Sequence, residues 1–137
     1  MDGVILTPLK KILHLDGDIF HAMKASDKSY FGFGEAYFSS VNQHKIKGWK
    51  KHTKMTMNLI VAVGKIQFVV YDNESFFDVI LSKDNYQRLT VPPGLWVAFK
   101  GLSIENTLLN LSNIEHNPNE SINSDLNSFH FEWNKIK

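Results

Sequence analysis

The chain has 137 residues, 43% of them apolar and 21% charged, with a formal net charge of +1 and no cysteine. That length suits one domain able to bury a core without disulfides or metals, and the near-neutral balance excludes the global basic field of a nucleic-acid binder. The absence of cysteine excludes disulfide and thiolate chemistry and fits a reducing, cytoplasmic setting. No apolar run nears the ~18 residues a membrane helix needs, and the opening MDGVILTPLKKILHL lacks the basic region and apolar core of a signal peptide.

Taken in order, the chain reads as many short strands. Residues 7–20 predict one strand, a turn at Asp16, Gly17 and Asp18, and a second strand from Ile19. Residues 24–34 read as loop, with Gly32 and Gly34 flanking Phe33 as a bend before a strand requires. Residues 36–41 are aromatic and alternate. A basic turn then carries His52 into residues 57–63, a nearly continuous apolar run. Such a run marks a strand buried on both faces. Gly64 and Lys65 make a tight turn before residues 66–71, so the spacing predicts a hairpin over 57–71. Residues 72–75 and 82–85 are turn clusters on either side of a strand at 77–81. Residues 88–91 lead into Pro92, Pro93 and Gly94, which cannot be strand interior. Strands at 95–99 and 107–111 complete the series, and that spacing predicts a sandwich or closed barrel. Residues 115–128, rich in Asn and Ser, read as loop or short helix. Residues 129–133 alternate again, as a last strand or as a surface against a partner subunit.

The basic stretch gathers Lys45, Lys47, Lys50, Lys51 and Lys54 around His52. In a regular strand, alternation sends Lys47 and Lys51 to one face, and Lys50, His52 and Lys54 to the other. Such lysines serve either as a solvated edge that blocks aggregation or as a patch for an anion. An imidazole among them titrates near working pH. Trp96 and Phe99 either stack a ring or fill the core, and Phe99 reads as core. Arg88, just before the Pro-Pro-Gly turn, can bind a phosphate bidentately. His14, His21, His44, His116 and His130 show no partner spacing and read as structural or exposed.

From Lys47, Gly48, Trp49, Lys50, Lys51 and His52 onward the chain resembles two related families of cupins. One is the dTDP-4-dehydrorhamnose 3,5-epimerases, the other the dTDP-4-keto-6-deoxyhexose 3,4-ketoisomerases. The resemblance runs from about residue 10 to 118. It includes the 57–71 pair, the turn at Val91, Pro92, Pro93 and Gly94, and Trp96 and Phe99 after it. It implies an all-β fold, a double-stranded β-helix or cupin jelly roll. A single domain would cover 1–137, with its core at about 10–118 and a tail at 119–137. It also implies a cytoplasmic homodimer that acts on a nucleotide-linked keto sugar for surface polysaccharide synthesis and needs no cofactor.

The ketoisomerases carry Arg-Gly-Phe-His-x-His, with a glycine closing the next strand at the distance found between Lys47 and Gly64. Lys47 then stands for the arginine, Trp49 for the phenylalanine, Lys50 for the first histidine and His52 for the second. Tyr37 matches a tyrosine ahead of the motif. The epimerases carry Leu-Arg-Gly-Leu-His, so their catalytic histidine falls on Lys50 or His52. Their tyrosine falls near Asn110, which can bind substrate but cannot act as the acid. Asp16, Gly17 and Asp18 stand where the epimerases have an arginine beside glycine. The Pro-Pro-Gly half and the lost first histidine lean toward the epimerase. A ketoisomerase is the second reading, and a non-catalytic sugar- or nucleotide-binding cupin the third.

Either reaction removes a proton next to a ketone. The resemblance makes His52 the base, Lys50 or Lys54 the cation at the enolate oxygen or pyrophosphate, and Tyr37 the acid, with Tyr86 or water as alternatives. Lys47, Lys54, Arg88, Trp96 and Asn110 are the expected substrate-binding residues. In a metal cupin the ligand positions would hold His52, Lys54, Asn58 and Val97. Only His52 there is a ligand of the usual kind, so no metal is expected.

Overall fold

Short strands with one apolar face bury that face against a second sheet. A computed structural model describes residues 1–134 and shows this arrangement. Its strands are β1 (Ile5–Pro8), β2 (Lys11–Ile12), β3 (Ile19–Phe20), β4 (Glu35–Ser40), β5 (Ile46–His52), β6 (Met57–Val63), β7 (Lys65–Tyr71), β8 (Phe76–Ser82), β9 (Gln87–Val91), β10 (Trp96–Gly101), β11 (Thr107–Ser112) and β12 (Ser121–Asn123). One five-stranded sheet runs β1-β9-β6-β11-β4 and the other β12-β5-β10-β7-β8. Every pairing within them is antiparallel. The fold is the all-β jelly roll expected from the sequence. Among the described residues no helix is long and apolar enough to cross a membrane.

Leu59, Val61, Ile66, Phe68, Val70, Leu81, Leu89 and Val91 form one apolar cluster between the sheets. Beside this solid core, between β4 and β5, the barrel holds a cavity of about 550 Å³.

The hairpin expected over 57–71 does not form. β6 lies between β9 and β11, whereas β7 lies between β10 and β8. Gly64, at φ +81°, carries the chain from one sheet to the other, and a Cβ there would run into Glu105 and Asn106. Buried Asn106 holds this corner: its Oδ1 accepts from the amides of Lys65 and Ser103, both at 3.0 Å, and its Nδ2 donates to the Val41 carbonyl at 3.1 Å. The two apolar runs therefore meet across the core instead of edge to edge. The strand after Gly64 instead makes its hairpin with β8, through residues 72–75. Asp72 Oδ1 accepts the amides of Glu74 at 2.9 Å and Ser75 at 2.7 Å in that turn.

The stretch expected as a basic turn is mostly strand β5, and its alternation is broken. Val97 pairs with Lys50, but Phe99 pairs with Lys47, so β5 carries an extra residue here. Such a bulge changes which face the residues before it present. Gly48 sits in the bulge at φ +150°, and a Cβ on it would strike Ala98. Lys47 therefore joins Lys50 and His52 at the cavity. Lys51 alone points outward, its Nζ 4.9 Å from the centre of the Trp96 ring. This corrects the expected pairing of Lys47 with Lys51.

Residues 129–133 are not a strand. Phe129 lies 5.4 Å from Trp49, 4.8 Å from Tyr71 and 5.1 Å from Trp96, ring centre to ring centre. Phe131 and Trp133 extend this cover over Phe76 and Trp49. The alternating aromatics thus seal the outer face of their own chain's second sheet.

Candidate active site

Two rows of side chains face each other across the cavity. Period-two spacing brings Glu35, Tyr37 and Ser39 of β4 to one wall. Strand β5 supplies Lys47, Lys50 and His52 to the other. Met57, Leu59, Val97, Phe99 and Leu108 make the apolar lining, and His116 and Asn123 complete it from the tail.

His52 is 7% exposed, and its Nδ1 is hydrogen-bonded to Glu120 Oε1. Among the described residues nothing engages Nε2, the nitrogen left for a ligand. Glu120 is only 4% exposed and closes a short 3-10 turn, Pro118–Glu120, whose start Asn117 caps by accepting from the Asn119 amide. Its Oε2 accepts from the amides of Lys54 at 3.1 Å and Met55 at 3.2 Å. Its carbonyl accepts from the Thr53 amide at 2.8 Å and hydroxyl at 2.6 Å. The turn after β5 thus wraps the carboxylate that holds the imidazole. Strand β12 pairs with β5 immediately after Glu120, with Ser121 opposite His52.

Burial alone would push the Glu120 carboxyl up. The His52 hydrogen bond, the two amides and the imidazole charge outweigh burial and hold it below its ordinary 4.5. A carboxyl lowered in the folded state contributes stability that is present above its unfolded value and lost as pH falls through the folded one. Urea unfolding between pH 7 and pH 3 is therefore expected to show Glu120→Gln less stable than the parent at neutral pH, with the gap closing below pH 4.5. A gap of constant size across that range would remove the linkage.

Tyr37 presents its hydroxyl with the acceptor side occupied. Asn110 Nδ2 donates to it at 2.9 Å, which leaves the phenolic proton for a ligand. Asn110 is fully buried, and its Oδ1 accepts from the Asn58 amide at 3.1 Å. It is not among the residues that line the cavity, contrary to the expectation that it binds substrate, and stands behind Tyr37, where it aims the phenol.

Lys47 Nζ crosses to the opposite wall, donating to Ser39 Oγ at 3.0 Å and the Ser40 carbonyl at 3.1 Å. It lies 5.6 Å from the Phe99 ring centre. Phe99 both lines the cavity and packs on Phe68.

Three expected substrate-binding residues lie elsewhere. Strand β5 ends at His52, so alternation does not carry Lys54 into the cavity; it is exposed in the turn, and its amide serves Glu120. Trp96 lies on the outer face, between Lys51 and Phe129. Arg88 also faces away from the cavity. It is fully buried, and its guanidinium donates to Asn58 Oδ1 at 3.1 Å, the Ala22 carbonyl at 2.6 Å and Ser29 Oγ at 2.6 Å. Asp27 Oδ2 stands 3.3 Å away. Every arm of the fork is engaged in pinning the 21–30 loop to the first sheet. Tyr86 is likewise remote: its hydroxyl donates to the His21 carbonyl at 2.9 Å, and burial pushes the phenol up.

Glu35, Ser39, His116 and Asn123 at the cavity, and Glu120 behind His52, are the site residues that sequence reasoning missed. Glu35 follows from extending the alternation of 37 and 39 by one step. Asn117-Pro118 is a helix-start signal that would have flagged the turn ending at Glu120. Among the described residues no three His, Cys, Asp or Glu side chains gather as an ion's donor set would require.

A family model described as "FdtA: WxcM-like, C-terminal" matches residues 3–133. Among curated proteins none matches. Of solved structures, a dTDP sugar isomerase from Desulfovibrio desulfuricans G20 shares 30% identity over 99% of this chain and 94% of its own, with a TM-score of 0.92. QdtA, a sugar 3,4-ketoisomerase from Thermoanaerobacterium thermosaccharolyticum solved with TDP, shares 20% identity over 89% of this chain and 88% of its own, at TM-score 0.79. The 3,5-epimerase RmlC from Legionella pneumophila, solved with dTDP-4-keto-L-rhamnose, shares 18% over 90% of this chain and 73% of its own, at TM-score 0.80. The last two likenesses are of fold. With nearly its whole length matched, the chain belongs to the WxcM-like, C-terminal family of FdtA.

Proposed function

We propose that this protein is a sugar-nucleotide isomerase that moves the keto group of a dTDP-linked 4-keto-6-deoxyhexose from C4 to C3. The observation that carries the proposal is His52: its Nδ1 is held by Glu120 while its Nε2 is left to the cavity. A base oriented by a carboxylate is suited to taking a proton beside a carbonyl. Nε2 takes the C3 proton, and the electron pair moves onto the C4 carbonyl oxygen as an enediolate forms. Lys50 lies on the same wall to stabilise that oxygen, and the Tyr37 hydroxyl supplies it with a hydrogen bond or a proton. His52 then returns its proton to C4 while O3 loses its own and becomes the ketone. Hydrogens are conserved, one passing from C3 to C4 and one from O3 to O4.

Two features favour this over the epimerase reading toward which the sequence leaned. Shifting a proton between adjacent carbons needs one backed base, whereas inverting a carbon needs an acid on its opposite face. The position of the epimerase tyrosine holds Asn110, buried and bonded to Tyr37. One observation supports epimerisation as the second reading: Tyr37 and His52 come from different sheets and face each other.

Incubation with dTDP-4-keto-6-deoxyglucose in D2O, followed by NMR, separates the readings. Migration of the ketone to C3 supports isomerisation. Exchange at C3 and C5 with the ketone left at C4 supports epimerisation. Binding without exchange would reduce the protein to a sugar-nucleotide carrier. Tyr37→Phe is expected to slow turnover by about a hundredfold, the lower end of the roughly 10²- to 10⁴-fold range for a positioned proton donor, with little change in KM. An unchanged kcat would remove Tyr37 from the chemistry.

A further inference from the structure

The mechanism above leaves one cavity carboxylate without a role. Glu35 lines the wall two residues before Tyr37 on the same face of β4, roughly 7 Å along the strand. One of its oxygens, Oε1, accepts from the His116 amide at 2.8 Å. Oε2 has no hydrogen-bond partner among the described residues. A carboxylate held by one oxygen is pre-aimed, and the other oxygen is a strong acceptor.

Position along the cavity tells which part of a ligand it meets. Lys47 and Ser39 close one end with their hydrogen bond. Glu35 lies toward the other end, where the chain leaves β5. There the Thr56 amide donates to Asn113 Oδ1 at 2.7 Å, and Asn113 immediately follows Ser112, the register partner of Glu35. His116 and Glu120 follow on the same segment, and Glu120 reaches His52. Glu35 therefore shares an end with the base, away from the Lys47 end. The diphosphate of a sugar nucleotide is repelled by a carboxylate and drawn to lysines. Glu35 is only half-buried, so water meets its free oxygen before a ligand enters, and a sugar hydroxyl is the donor on the ligand that replaces that water.

Resting on the isomerase reading, we propose that Glu35 is a specificity-determining residue that accepts a hydrogen bond from a hydroxyl of the hexose ring and thereby selects neutral, hydroxylated sugars on the nucleotide. The His116 amide is its positioning partner.

The test is calorimetric binding of two unreactive ligands, dTDP and dTDP-glucose, to the parent protein, Glu35→Gln and Glu35→Ala. Lacking a ketone, dTDP-glucose binds without turnover, so the result does not depend on proton transfer. The parent should bind dTDP-glucose more tightly than dTDP. Glu35→Ala should weaken dTDP-glucose by about ten- to a hundredfold, the scale of a hydrogen bond to a charged group, and leave dTDP within about twofold. Glu35→Gln keeps an oxygen for the His116 amide and should fall between. Equal weakening of both ligands, or no weakening of dTDP-glucose, overturns the proposal. A parent that binds both ligands as expected yet gives no exchange in D2O defeats the isomerase reading and leaves the Glu35 ratio standing. A parent that binds neither ligand defeats both.

Discussion

His52→Ala is expected to cut solvent exchange of the substrate's C3 proton by about 10²- to 10⁴-fold, the range over which a positioned general base acts. Affinity for dTDP should stay close to that of the parent. The imidazole reaches the cavity through Nε2 alone, and the nearby lysines carry the charge that draws a diphosphate. The substitution also leaves Glu120 buried with one oxygen unmatched, which costs about 1–3 kcal/mol. Activity should therefore be measured well below the melting temperature, where the variant is folded. Exchange that persists at the parental rate would show that another group takes the proton. A loss of dTDP affinity equal to the loss of exchange would make His52 a binding residue and not the base.

Arg88→Ala should produce the largest fall in stability. The guanidinium is fully buried, and its removal takes one hydrogen bond each from Asn58, Ser29 and the Ala22 carbonyl and leaves Asp27 without its cation, while Thr90 stays on Asn58 and Thr7 on Ser29. Hydrogen bonds to a charged group are worth about 1.5–3 kcal/mol each, and three are lost at once. For a domain of this size that corresponds to a Tm lowered by about 10 °C or more. Below the new transition, dTDP affinity should be unchanged, because Arg88 lies on the far side of the first sheet from the cavity. A variant that keeps its Tm and loses nucleotide affinity would place Arg88 at the ligand. Arg88→Met fills the volume without the charge and should recover part of the loss, since the desolvation of the ion goes with it.

The strands themselves were legible because apolar alternation is local. Every run from 57 to 111 that read as a strand is one, to within a few residues at its ends. What escaped was partnership. Residues 57–63 and 66–71 are each apolar on the face they bury, and a glycine separates them. That pattern fits a hairpin and a sheet-to-sheet corner equally well. Asn106, some forty residues away in sequence, decides for the corner.

The site was half legible for the same reason. His52, Lys50, Lys47 and Tyr37 were found because they lie in or just before a recognisable motif, and all line the cavity. Lys54 was misplaced because the strand stops at His52, and Lys47 was assigned to the wrong face because one extra residue at Gly48 reverses the alternation. Arg88 and Trp96 carry chemistry that suits a nucleotide, but strand parity turns them outward. Glu120 was invisible because its role depends on a tail folding back across β5, which no local periodicity reveals.

The bond from His52 to Glu120 spans 68 residues of chain. Its carboxylate rides on a segment attached to the barrel through β12 and an aromatic seal. If that segment peels away, the second sheet loses only its edge strand β12 while the imidazole loses its partner. Enzymatic competence and intact architecture are thus two separate quantities in this protein: turnover reports on the tail, and backbone signal reports on the sheets.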